Sequence, residues 1–245
     1  RRMRAWEKNI RRVIPYVPGE QPADASIIKL NTNENPYPPA PGVMAALQTM
    51  AADPLRRYPD PAASVLVDAI AEYYGLDAAQ VFVGVGSDDV LAMAFLTCFH
   101  SDRPILFPDI TYSFYDVWAG LFRIPYEVQP LDADFKIRPS DYGKENGGII
   151  FPNPNAPTGI FQPLADVEAI LSQNTDVIVI VDEAYIDFGG TSARCLLEKY
   201  DNLLIAQTFS KSRSMAGMRI GFLLGSQALI RCISDCKYSF NSYTM

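Results

Sequence analysis

The chain is built from short, mostly apolar runs set between stretches of helical spacing, and that alternation leaves few folds open to it. "QVFVGV", "PILFP", "YEVQP", "GGIIFP", "DVIVIVDEAY", "NLLIAQTF" and "RIGFLLG" read as strands. Helical periodicity occupies Val43 to Met50, Ser64 to Tyr74, Asp88 to His100, Ser113 to Phe122, Leu164 to Ser172 and Gln227 to Cys236. Strands that are apolar at successive positions must be covered on both faces, as a parallel sheet between two helical layers is. The expectation is a three-layer α/β sandwich with a mostly parallel central sheet over residues 41–245, preceded by a Pro- and Asn-rich arm over residues 1–40. With 245 residues, 49% of them hydrophobic, the chain can fill a core of that size.

Several function classes drop out. A net charge of −7 argues against a nucleic-acid surface. The opening "RRMRAWEKNIRR" is basic and amphipathic but has no apolar centre, so it reads as a helical arm rather than a targeting segment. No apolar run approaches the ~20 residues that span a bilayer. Cys232 and Cys236 form a C-x3-C pair without a further His or Cys, a poor metal site, and the other cysteines are scattered as in a cytoplasmic protein. The single histidine, His100, ends an apolar helix, which excludes His-based triads. The chain stops at "NSYTM" with no capping pattern, as a truncated chain would.

In sheets of this kind ligands gather at the carboxyl ends of the strands. After "QVFV" comes "GVGSDDVL", a glycine turn into a helix capped by Ser87, whose N-terminal amides suit an anion. It lacks the third glycine of a dinucleotide loop. After "GGIIF" comes "PNPNAPTG", a turn-dense loop bearing Asn155 that turn chemistry alone could explain. After "DVIVIV" comes Asp182, with Tyr185 beyond it. No G-x-x-x-x-G-K-[ST] loop accompanies this acid, so it is not a Walker carboxylate and is expected to pair with a buried cation. After "NLLIAQTF" come Ser210 and Lys211 in a stretch, "TFSKSRSMAGMRIGF", otherwise poor in charge. Pyridoxal phosphate needs all of these: an amine, a carboxylate for the ring nitrogen, donors for the ring oxygen and a phosphate cradle.

The ordered motifs "IRRVIPYVPGEQ", "LNTNENPYPP", "RRYPDP", "GVGSDDVL", "PDITYSFY", "NPNAPTG", "VDEAYIDF" and "TFSKSRSMAGMRIGF" resemble those of fold-type I, class II aminotransferases. "PYVPGEQ", "NENPY" and "RYPDP" favour the histidinol-phosphate aminotransferase branch. The resemblance implies that Lys211 holds the cofactor as a Schiff base and carries the catalytic proton. It implies that Asp182 pairs with the pyridine nitrogen, that Asn155 and Tyr185 donate to the ring oxygen, and that Tyr112 stacks on the ring. The phosphate would lie against Ser87, Asp88, Ser210 and Arg219, with the Asp88 side chain turned away because like charges repel. Tyr16, Asn33 and Asn155 would meet the substrate, with Tyr16 and Tyr58 reaching in from the other subunit of a homodimer. The family's chains continue into a smaller C-terminal domain that carries substrate-binding arginines. The implied reaction exchanges an amino group between L-histidinol phosphate and 2-oxoglutarate. An aromatic amino-acid aminotransferase, a threonine-phosphate decarboxylase or a catalytically silent binding module are the alternatives, and Lys211, Asp182 and Arg219 all being present argues against the last.

Overall fold

A computed structural model describes residues 10–237, apart from 18, 21, 22 and 25. Most of the basic opening stretch and the terminal "NSYTM" therefore lie outside the described residues. The described residues between 10 and 40 form no helix or strand, in line with their Pro and Asn content. The helices are α1 (Pro41–Gln48), α2 (Ser64–Tyr74), α3 (Ser87–Cys98), α4 (Tyr115–Phe122), α5 (Leu164–Gln173) and α6 (Gln227–Cys236). The strands are β1 (Val81–Gly84), β2 (Ile105–Pro108), β3 (Tyr126–Gln129), β4 (Ile149–Pro152), β5 (Val179–Asp182), β6 (Leu203–Thr208) and β7 (Gly221–Gly225). Among the described residues no helix is long and apolar enough to cross a membrane.

One sheet takes all seven strands in the order β1-β7-β6-β5-β4-β2-β3. Side chains alternate between its faces, since successive strand residues point to opposite sides. Val179 and Val181, Leu203 and Ile205, and Phe222 and Leu224 pack with α2 and α5. Ile180, Leu204, Ala206 and Leu223 pack with α3, α4 and α6. Both faces are dry, which is why these strands read as unbroken apolar runs. The sequence reading needs one refinement: β7 is antiparallel to both β1 and β6, so the sheet is mixed. The connection from β6 to β7 holds only a short 3-10 turn, Ala216–Met218, and without a crossover helix the chain must return antiparallel.

Candidate active site

That return builds the site. β4, β5 and β6 are parallel, with Pro152 opposite Asp182 and Asp182 opposite Ala206, so Asp182 and the β6 end share one edge. Because Thr208 pairs with Gly221, Arg219 just before β7 comes back to the edge that Lys211 leaves. Gly84 also pairs with Gly221, which opens the N-terminus of α3 at the same edge. A Cβ on Gly221 would lie 2.3 Å from the Gly86 carbonyl carbon and 2.4 Å from Ser87 N, so only glycine lets helix and strand approach this closely.

Asp182 shares the parity of Ile180 and faces the α3–α4 layer, where it is 5% exposed. Its Oδ2 accepts from the Tyr115 hydroxyl at 2.8 Å and its Oδ1 from Ala184 N at 3.2 Å. Burial pushes its pKa up to about 6; the two donors oppose that rise and the charge of Asp88 adds to it. Among the described residues no Lys or Arg pairs with it, so none of these supplies the expected cation. A carboxylate placed this way can stabilise a cationic ring N–H supplied by a ligand.

Lys211 opens the β6–β7 turn, half-buried, and its Nζ donates to Thr32 O at 2.8 Å while lying 5.4 Å from the centre of the Tyr185 ring. The Tyr185 oxygen accepts from Asn33 Nδ2 at 3.0 Å, which leaves its own O–H proton free to donate elsewhere. Asn35 Nδ2 donates to Lys211 O at 3.1 Å and to Ser212 O at 3.3 Å. "NTNEN" is thus the cover of the lysine turn. Thr32 and Asn35 were missed because an Asn- and Pro-rich arm carries no periodic signal that says where it folds back.

Asn155 is 3% exposed and ties its loop to the one after β2. Its Nδ2 donates to Ile110 O at 2.9 Å and to Thr158 Oγ1 at 3.1 Å, and its Oδ1 accepts from Thr111 Oγ1 at 3.2 Å. The Asn155 amide, expected to donate to a cofactor oxygen, therefore has both of its protons engaged by Ile110 and Thr158.

Two details of the anion cradle correct the sequence reading. The N-cap of α3 is Gly86, at φ 88 and without a side-chain cap bond, and Ser87 is the first helical residue. A Cβ at Gly86 would meet Arg219 Nη2 at 2.4 Å, so the cap position belongs to glycine, and Asp89 Oδ2 holds the turn by accepting from Val85 N at 2.9 Å. Nor does Asp88 turn away. Its Oδ2 takes Arg219 Nη2 at 3.3 Å and its Oδ1 takes the Tyr112 hydroxyl at 2.9 Å, because the guanidinium beside it attracts a carboxylate. The pair is 37% and 47% exposed, so it is worth at most about 1 kcal/mol and yields readily to a stronger anion. Arg219 Nη1 also reaches Ser210 Oγ at 3.5 Å, which brings Ser210, Arg219 and the α3 amides together.

Tyr112 is half-buried, and its hydroxyl is held protonated by burial first and by Asp88 second. Its ring stands edge-on to Tyr115, at 5.7 Å and 83°. Tyr16, 40% exposed, packs its ring 5.1 Å from Phe114 of the same chain, at the rim of this site. Tyr58 is 84% exposed on the loop before α2. Tyr115, fully buried and bonded to Asp182, was missed: in the sequence it is one aromatic among many in "TYSFYDVW".

The chain matches the family model for aminotransferase class I and II over residues 25–245. Histidinol-phosphate aminotransferase 1 of Hydrogenovibrio crunogenus is 57% identical over 240 residues, which is 98% of this chain and 67% of that protein. Histidinol-phosphate aminotransferase of Pseudomonas putida is 55% identical over 242 residues, 99% of this chain and 70% of that protein. Among solved structures, histidinol-phosphate aminotransferase from Sinorhizobium meliloti, in complex with pyridoxal-5'-phosphate, superposes with a TM-score of 0.76 at 24% identity over 85% of this chain and 59% of that one. The enzyme of the same name from Clostridium acetobutylicum gives 0.76 at 21%, over 86% and 65%. At these identities the two structures show the fold alone. The chain spans about two thirds of the length of its curated relatives and less than that of either solved chain.

Proposed function

The chain belongs to the aminotransferase class I and II family, and on that premise we propose that it transfers an amino group from L-histidinol phosphate to 2-oxoglutarate, giving imidazole acetol phosphate and L-glutamate, with pyridoxal 5′-phosphate as cofactor. The observation that carries this reading is Asp182: a carboxylate 5% exposed, at a strand end, with no Lys or Arg paired to it among the described residues. That is the partner a protonated pyridine requires, and the relatives that share the chain almost end to end carry the name of this activity.

The residues present fit the cofactor. Asp182 would hold the ring nitrogen, with Tyr115 and Ala184 N keeping its carboxylate oriented. Tyr185, with its O–H proton free, and Asn155 would donate to the ring oxygen. Tyr112 would stack on the ring. Ser87 N, Asp88 N, Ser210 Oγ and Arg219 would hold the phosphate, and the weak Asp88–Arg219 contact is one a stronger anion can replace. When bound, pyridoxal phosphate supplies the electron sink that lets a bond to the substrate's Cα break. Lys211 is the covalent anchor, and its Nζ afterwards holds the proton taken from Cα. Thr32 and Asn35 fix the turn that presents it. Asn33 orients Tyr185 and, with Asn155, would contact the substrate, whose phosphate Tyr16 would reach from the other subunit of a homodimer. Tyr58, exposed on the loop before α2, would contact the other subunit's cofactor phosphate in a homodimer, as the family resemblance implies. The absence of any helix able to cross a membrane, among the described residues, suits a cytoplasmic biosynthetic enzyme.

The test is chemical. Full-length protein purified with cofactor is reduced with borohydride, digested, and the pyridoxyl peptide mapped. Label on Lys211 is expected; label on Lys199 or Lys237 would remove the assignment. A panel of amino donors on the same preparation decides the substrate, with histidinol phosphate expected to give the highest kcat/KM.

A further inference from the structure

On the α2–α5 face of the sheet, behind the cofactor residues, side chains join into one directed line of hydrogen bonds. Glu183 is 1% exposed, and its carboxylate takes three donors: Ala193 N at 2.7 Å, Ser192 Oγ at 2.7 Å and Gln207 Nε2 at 2.9 Å. Gln207, 2% exposed, accepts through Oε1 from the Tyr74 hydroxyl at 2.6 Å. The Tyr74 oxygen accepts in turn from Arg213 Nη2 at 3.0 Å. Every proton in the line points from guanidinium towards carboxylate. Arg213 and Glu183 thus form an ion pair through two neutral relays rather than by contact. Burial raises the Glu183 pKa to about 7 against the pull of Ser192, Ala193 and Gln207, and Gln207 is the one of these donors that belongs to the line.

Stability alone gives little reason for such a device, since buried ion pairs are often no better than well-packed apolar residues. What it ties together gives a reason. Arg213 lies in the turn that carries Lys211, and Gln207 lies on the strand leading into it. Glu183 follows Asp182, and Tyr74 is the last residue of α2. The turn needs holding: Lys211 to Ala216 are only half-buried, and Ser214 and Arg219 sit at φ 56 and 54, a conformation L side chains rarely adopt. Arg213 is anchored besides by Thr208 O at 3.3 Å, Asp187 at 3.4 Å and the Phe209 ring at 5.0 Å.

We infer that Glu183, Gln207, Tyr74 and Arg213 are positioning residues for Lys211: their relayed ion pair pins the turn that carries the amine to the strand that carries Asp182. The inference rests on the reading of Lys211 as the cofactor's anchor. None of the four touches the site; they act through the spacing between its amine and its carboxylate.

Tyr74→Phe is the sharpest cut. It deletes only the middle hydroxyl and keeps the ring, which packs 5.9 Å from Phe222 and lies under Arg194 at 5.7 Å. In cofactor-free full-length protein, amide hydrogen exchange across residues 209–220 is expected to speed up by up to ~10-fold, with the rest of the sheet unchanged. In the holoenzyme kcat is expected to fall about 10-fold with both KM values within about twofold, and the pH midpoint of the bound chromophore's colour change to move. Tyr74→Phe combined with Glu183→Gln should be no worse than the poorer single variant, because one broken line cannot be broken twice. Arg213→Lys, which keeps the cation but loses the fork, should give the same readings. Unaltered exchange in 209–220, an effect confined to KM, or a double variant whose losses multiply would overturn the inference. An unmodified protein that carries no label on Lys211 would overturn the function reading and this inference together, and that result is distinct because it precedes any variant.

Discussion

Tyr115→Phe tests the electrostatics of the site with a single oxygen atom. The ring lies fully buried among Phe95, Phe107 and Trp118, at 6.1, 5.9 and 6.3 Å, so the phenylalanine keeps the packing. What goes is the 2.8 Å hydrogen bond to Asp182, a bond to a buried charged group worth about 1.5–3 kcal/mol. At 1.36 kcal/mol per unit this is about one to two pKa units. The bond favours the ionised carboxylate, so its loss raises a pKa already at about 6 to roughly 7–8. The sign of the linkage follows. An acid whose folded pKa lies above its unfolded value stabilises the protein below the unfolded pKa, and this is lost as pH rises through the folded one. In the cofactor-free chain the Asp182 contribution therefore fades between about pH 4 and 6, and in Tyr115→Phe it should persist to roughly pH 7–8. Urea unfolding from pH 4 to 9 reads both curves, and the same comparison in an Asp182→Asn background should show no difference. Cofactor affinity supplies a second reading. At pH 7 about nine-tenths of the Asp182 carboxyls are ionised at a pKa of about 6, but only about a tenth to a half after the shift, so affinity should drop by roughly two- to tenfold. Superimposed pH–stability curves, or a Tyr115→Phe effect that survives Asp182→Asn, would refute the assignment of this hydroxyl.

Three further outcomes follow from the same geometry. Asp182→Asn should leave pyridoxal phosphate bound while turnover falls by ~10³-fold or more, about 4 kcal/mol of transition-state stabilisation, and a loss below tenfold in steady-state kinetics would mean that this carboxylate does not face the ring nitrogen. Gly221→Ala sets a methyl against Gly86 and Ser87 backbone at 2.3–2.4 Å, so it should destabilise the fold by about 1–3 kcal/mol and weaken phosphate-dependent cofactor binding, both measurable by thermal unfolding with and without cofactor. Mixed Lys211→Ala and Tyr58→Ala subunits of the full-length protein should regain activity on reassociation if Tyr58 acts across a dimer, and no recovery despite proven exchange would rule out the shared site.

What could be read from the residues, and what could not, divides by the range of the interaction. Ser64–Tyr74 and Gln227–Cys236 fell where the periodicity put them because each helix is decided by its own apolar spacing. The positions of Lys211, Asp182 and Asn155 were legible because Asp182 ends β5 and the other two follow β6 and β4 by three residues, and a strand end is a place in space as well as in sequence. The cap of α3 was misread locally: Ser87 is a good capping residue, but the approach of Arg219 leaves room only for Gly86 at that position. Tyr115, Thr32 and the line from Arg213 to Glu183 could not be read at all. Their partners stand 67, 179 and at most 139 positions away, and no local pattern distinguishes a tyrosine that meets a carboxylate across the core from one that only fills space. The antiparallel β7 is the instructive case between these. "RIGFLLG" looks the same in either direction, yet the twelve residues between Thr208 and Gly221 contain no helix-length apolar period. A parallel neighbour needs a crossover of a dozen or more residues, usually with a helix, so twelve residues without a helical period favour a chain that doubles back. Doubling back is what returns Arg219 to Ser210 beside Lys211: the direction of one strand decides whether the proposed phosphate cradle and the proposed anchor meet.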